Sequence, residues 1–295
     1  MDKIAFVIPT HPPDYHYLYD LLIKMNTNNI IIDIYLVFSS EEHYEKFDMK
    51  DRIKKIIVRD MPSNYTPNNV DTYKYFYING RSGITSYKKL YALDQLINST
   101  YDYFIVCDCE IDIKVENFNI TNINKKINQI FENIIIYAGN VEKTETISLV
   151  EASANLFSDE DNEIIRKETN NFTLYAWLSD LPVYKRTHLS DFFKKIDYNN
   201  KRHLITWFHF EHMMYQYYLI IYHNFKIIDT TLITNINHSL ENVYTNNIDV
   251  LSKLEDINFG FSWITKKWYM SNPEYFNSKK TFLIYHLDNN KLGWL

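Results

Sequence analysis

The apolar positions of this chain fall into short unbroken runs separated by amphipathic stretches. Ile4 to Ile8 is one such run, and it ends in Pro9-Thr10-His11-Pro12-Pro13. That is the pattern of a buried strand leading into a rigid loop. Asp14 can cap a helix through Met25, with Tyr17, Leu18, Leu21 and Leu22 at helical spacing. Ile31 to Phe38 predicts a second strand, Ser39 or Ser40 a cap for a short helix through Phe47, and Ile53 to Val58 a third strand. After the turn signal Gly80-Arg81-Ser82-Gly83, a helix beginning near Thr85 or Ser86 places Tyr87, Leu90, Leu93 and Ile97 along one side. Tyr103 to Val106 is the fourth strand. Strand and helix alternating in this way predict an α/β fold with a mostly parallel central sheet flanked by helices.

The second half is patterned less regularly. Phe118 to Phe131 predicts a helix, Ile134 to Ala138 a strand, and Phe172 to Leu178 another strand. Thr187 to Ile196 predicts a short helix and Leu204 to Tyr222 the longest one. Phe225 to Ile228 and Thr281 to Tyr285 read as strands, and Phe261 to Tyr269 as a helix. Neither repeats nor a linker-like segment interrupts the chain. The expectation is one domain over residues 1–295, with 1–115 as one half and 116–295 as the other.

Composition narrows the function classes. The 295 residues are 46% hydrophobic and 16% aromatic, enough for a substantial core. The net charge of -6 does not suggest a general nucleic-acid binder. The amino terminus lacks the features of a signal peptide, and Asp33 interrupts the run around Ile30 to Phe38, so no window predicts a membrane span. A cytoplasmic protein, free or peripheral to a membrane, is the expectation. The two cysteines, Cys107 and Cys109, build no disulfide framework and fall short of a structural zinc site. They read as core packing. With only 5 glycines, the chain contains neither a dinucleotide fingerprint nor a Walker loop.

The chemistry concentrates at the end of the fourth strand. Asp108, Glu110 and Asp112 alternate along an extended segment, so their side chains share a face. Carboxylate oxygens in that arrangement suit a divalent cation, Mn2+ or Mg2+. The plain alternative is a solvated strand end. In open α/β sheets ligands bind beyond the carboxyl ends of the strands. Three sets of residues fall there: Pro9-Thr10-His11, Ser39-Ser40 and Asp108-Cys109-Glu110. Thr10 and His11 are candidates to border a nucleotide base. Arg81 and Lys88 are candidates to meet a diphosphate beside the helix amino terminus. Lys89, by contrast, reads as a solvated helix lysine.

The order strand, loop, helix, strand, then K-x-x-A-L from Lys89 to Leu93, then Y-D-Y-F-I-V-C-D-C-E, resembles glycosyltransferases of the GT-A fold. The likeness covers about the first 115 residues well and the remainder loosely. Glu110 stands where the commoner motif has a second aspartate, with Cys109 unusual between the acids. The resemblance implies a nucleotide-sugar donor such as a UDP sugar in residues 1–115, held at Pro9, Thr10, His11, Ser39, Arg81, Lys88, Asp108 and Cys109. It implies a glycan or other hydroxyl acceptor in 116–295, and Asp108, Glu110 and a histidine such as His238 as metal ligands. If the reaction inverts, it implies a carboxylate base, for which Glu211 and Asp180 are the candidates. Glu211 is the only acid between Asp197 and Asp229, on an aromatic stretch where burial would raise its pKa; a buried glutamate paired to a neighbour is the plain alternative. A sugar nucleotidyltransferase, or a glycan-binding protein with a decayed site, is the competing expectation.

Overall fold

The computed structural model describes residues 2–59, 77–78, 81–140, 144–176, 181–230, 232, 252, 263–271, 273–274, 282–285 and 287. In chain order the elements are β1 (Ile4–Pro9), α1 (Tyr15–Thr27), β2 (Asp33–Phe38), α2 (Glu41–Glu45), β3 (Lys54–Ile57), β4 (Tyr77–Ile78), β5 (Arg81–Ser82), α3 (Ile84–Gln95), β6 (Tyr103–Val106) and β7 (Ile111–Ile113). There follow α4 (Ile120–Asn133), β8 (Ile135–Asn140), α5 (Thr144–Ala154), α6 (Asp159–Glu168), β9 (Leu174–Tyr175), β10 (Val183–Lys185), α7 (Arg186–Lys195) and α8 (Tyr198–Lys201). The last are α9 (Glu211–His223), β11 (Lys226–Asp229), β12 (Trp263–Thr265), α10 (Lys266–Ser271) and β13 (Leu283–Tyr285).

Two compact units account for the chain. The first comprises 1–110 and 182–211, the second 111–181 and 212–295. The first break falls near the expected position of 115, but the segment 182–211 returns to the first unit.

The first unit is built on a five-stranded sheet in the order β10-β6-β1-β2-β3. β1, β2, β3 and β6 are parallel, and β10 closes the β6 edge antiparallel. Every residue of β1 and β6 is buried, as their unbroken apolar runs require. α1 buries Tyr15, Leu18, Leu21, Leu22 and Met25, the predicted stripe with Tyr15 and Met25 in it and Tyr17 left out. α3 is different. Every residue from Tyr87 to Leu93 is buried, lysines included, so this helix has no solvent stripe over those two turns.

The second unit contains two three-stranded sheets, β11-β8-β9 and β12-β13-β7. The stretch 141–171, which the sequence pattern left unassigned, holds α5 and α6. Residues expected to start a helix at Phe261 instead form β12, because Trp-Ile-Thr pairs parallel with β13. Of the strand expected over Phe172 to Leu178, the described residues 172–176 form only β9. Among the described residues, no helix is long and apolar enough to cross a membrane.

Candidate active site

The sheet of the first unit changes direction between β1 and β6. From β1 the chain winds outward through β2 to β3, and β6 then lies on the other side of β1. This is the topological switch point, the place where open α/β sheets characteristically bind ligands. Thr10 and His11 follow β1 here, and Cys107 to Glu110 follow β6. Backbone bonds hold these ends in the sheet: Cys107 N–H donates to Val7 O of β1 at 3.2 Å, and Thr10 N–H donates to Val37 O of β2 at 3.1 Å.

Lys89 organises the acids. Its Nζ donates to Glu211 Oε1 at 2.7 Å and sits 2.7 Å from Asp108 Oδ1. The Asp108 oxygen makes no well-aligned hydrogen bond, so that contact is an ion pair held by charge. Burial works to lower the Lys89 pKa, but the opposite charges of Asp108 and Glu211 outweigh it, and the ammonium is held above the ordinary lysine value. The Lys89 and Glu211 side chains are 5% and 4% exposed, while Asp108 keeps 18%. Asp108 is therefore the most accessible member of the trio. Glu211 is not the lone acid that its sequence neighbourhood suggested; its partner comes from α3, 122 residues earlier.

Local folding explains how Glu211 arrives. The helix expected from Leu204 begins only at Glu211, because residues 205–210 form an irregular segment. Thr206 N–H donates to His209 Nδ1 at 2.9 Å, and His209 N–H donates back to Thr206 O at 3.1 Å. His209 is buried, which lowers its pKa to about 4 against a smaller opposing effect of the Thr206 bond, so the ring is neutral. Glu211 thus stands in the first turn of α9, where the helix dipole favours a carboxylate. The segment rests on Gly83, where a Cβ would meet Thr206 C at 2.4 Å and Trp207 N at 2.8 Å. Only glycine permits that approach.

Lys88, the adjacent lysine, behaves otherwise. Its Nζ donates to Thr10 O at 2.7 Å, and among the described residues no carboxylate lies within ion-pair distance. Burial lowers its pKa to about 8, partly opposed by Cys109 and Asp14. Thr10 is also buried, and its Oγ1 has no hydrogen-bond partner. An unpaired ammonium and an orphan hydroxyl therefore lie side by side at the switch point.

The remaining candidates are spread out. His11 is exposed and pairs with Asp14 Oδ2 at 2.9 Å. Cys109 is buried, and its thiol donates to Asp14 Oδ2 at 3.2 Å and Glu110 Oε2 at 3.3 Å. Burial, then Glu110, Asp14 and Asp108, push its pKa up, so it remains a thiol. Pro9 is the buried last residue of β1. Ser39 is half-buried after β2, and Ser40 caps α2 by accepting from His43 N–H at 3.2 Å. Arg81 belongs to β5, and its side chain, like those of Trp263 and Trp268, is not among those described. Asp180 and His238 lie outside the described residues.

Among the described residues, no three ligating side chains converge on one point. A cation held by only one or two carboxylates, with substrate phosphates completing its oxygen shell, is the kind that the chemistry of Asp108 and Glu110 would suit. Asp108 gives Lys89 one oxygen and remains partly exposed.

None of the known protein-family models matches this chain, and no curated protein matches it at a significant level.

Proposed function

We propose that the chain is a glycosyltransferase that moves a sugar from a nucleoside-diphosphate sugar to a hydroxyl acceptor. The observation that carries this reading is the single cluster at the switch point. A partly exposed acid after β6 and an acid heading α9 meet on Lys89, and the neighbouring Lys88 sends a buried ammonium to the carbonyl of Thr10 after β1.

In this reading the donor diphosphate lies over Lys88 and Thr10. The ammonium offsets negative charge that grows on the departing oxygen, inside a site where charge is poorly screened. The Thr10 hydroxyl gains a partner that it lacks among the described residues. Asp108 and Glu110 are the residues that would hold Mn2+ or Mg2+, which supplies further neutralisation of the diphosphate. Glu211 Oε1 is fixed by Lys89, and the other carboxylate oxygen takes the proton of the acceptor hydroxyl. The acceptor oxygen bonds to the anomeric carbon as the bond to the diphosphate breaks. A nucleoside diphosphate leaves, and the anomeric centre inverts.

Isothermal titration with UDP, GDP and CMP sugars, with and without Mn2+, tests this. Binding of one donor at micromolar concentration, weakened by Asp108→Ala, is expected. No binding by any of them removes the reading.

A further inference from the structure

The sequence offered Lys89 as a surface lysine, and the reaction outlined above gives it no atom to receive or donate. Yet it is buried and engages two carboxylates. One ammonium joins the acid after β6 to the acid heading α9, with 2.7 Å to each. It is buried, as is the helix turn that carries it, so its position is set by packing rather than by a freely rotating stem. Among the described residues Lys89 is what links the two acids: one follows a strand and the other opens a helix 103 residues further along the chain.

A simple structural ion pair would need one carboxylate. Two carboxylates on one ammonium leave the cluster with a net negative charge in a poorly solvated place, an arrangement that costs stability unless position matters more. Lys89 fixes the separation between the group that meets the donor and the group that meets the acceptor hydroxyl. Misplacement of a reacting group by about 1 Å is enough to lower a rate on the order of a hundredfold.

We propose that Lys89 is the positioning residue of this site. It acts through Glu211 and Asp108 without touching either substrate, so its effect falls on turnover and not on donor capture. This rests on the glycosyltransferase reading, and the test separates the two.

The experiment uses the full chain and follows release of nucleoside diphosphate from the best-binding sugar nucleotide, with water as acceptor. Lys89→Arg keeps the charge but replaces a point donor with a wider planar fork. It is expected to melt within a few degrees of the parent, to lower kcat about tenfold, and to leave the donor KM within about threefold. Glu211→Gln lowers kcat further, and Lys89→Arg/Glu211→Gln is no slower than Glu211→Gln alone, because residues acting as a unit are not additive. An unchanged kcat in Lys89→Arg overturns the proposal. So does a loss confined to KM, or a double variant whose losses multiply. If the parent protein neither binds nor turns over any sugar nucleotide, the glycosyltransferase reading falls first and this inference with it.

Discussion

Lys88 and Lys89 are consecutive, buried on the same helix, and opposite in their electrostatics. Lys89 has two carboxylates; Lys88 has a backbone carbonyl. Burial without a counter-charge makes Lys88 a cost to the fold. Its pKa of about 8 lies below the ordinary 10.5, so the unfolded chain binds that proton more tightly. The difference amounts to roughly 3 kcal/mol lost below pH 8 and regained as pH rises toward 10.5. Lys88→Met loses the bond to Thr10 as well, so a net gain of roughly 1–2 kcal/mol at pH 7 is expected in urea denaturation. The same variant is expected to bind pyrophosphate more weakly. His209 works on the acid side. Its pKa of about 4 lies below the ordinary 6.5, so its contribution is whole above pH 6.5 and drains away as pH falls toward 4. A thermal melt series from pH 7 to 4 should show the parent losing roughly 3 kcal/mol more than His209→Asn. Neither behaviour was legible in the sequence. Lys89 read as solvent-facing and Lys88 as a phosphate contact, and only the apolar residues on every side of them, Tyr87, Leu90, Tyr91 and Leu93, hinted at a helix buried all round.

Elements were easier to read than their ends. The runs Ile4 to Ile8 and Tyr103 to Val106 gave β1 and β6 because a strand buried on both faces leaves no polar position to confuse the pattern. The helix at Leu204 to Tyr222 was read seven residues too early, since its aromatic stretch continues helical spacing where Thr206 and His209 in fact close a turn. Gly83 is the hidden cause. Its lack of a side chain lets the irregular segment lie against the start of α3, a contact no local pattern reveals. Gly83→Ala must push Thr206 and Trp207 aside and should cost roughly 1–3 kcal/mol. Because the displaced segment leads into Glu211, turnover should fall by more than the stability loss explains. Urea denaturation and initial rates measured together check both parts.

For the whole molecule, strand and helix alternation gave the mostly parallel sheet, which is why the carboxyl ends of β1 and β6 could be named as a candidate site from the sequence; the strand order could not be read there. The return of 182–211 to the first unit could not be read, because β10 has only three residues and pairs with β6 from 78 positions away at Val183 and Ile105. That return has a consequence for dissection. A fragment of residues 1–110 leaves β6 as an open edge and removes Glu211 from Lys89. It is expected to lack a cooperative thermal transition by circular dichroism, whereas the full chain shows one.

The bridge made by Lys89 also marks where variation is safe. A library built to alter donor or acceptor preference can explore Ser39, His11 and the other loop positions around the crevice, each replaceable on its own. Asp108, Lys89 and Glu211 form a joint whose parts come from three distant stretches, so no single exchange there leaves the other two satisfied. Natural or laboratory drift should therefore alter all three together or none.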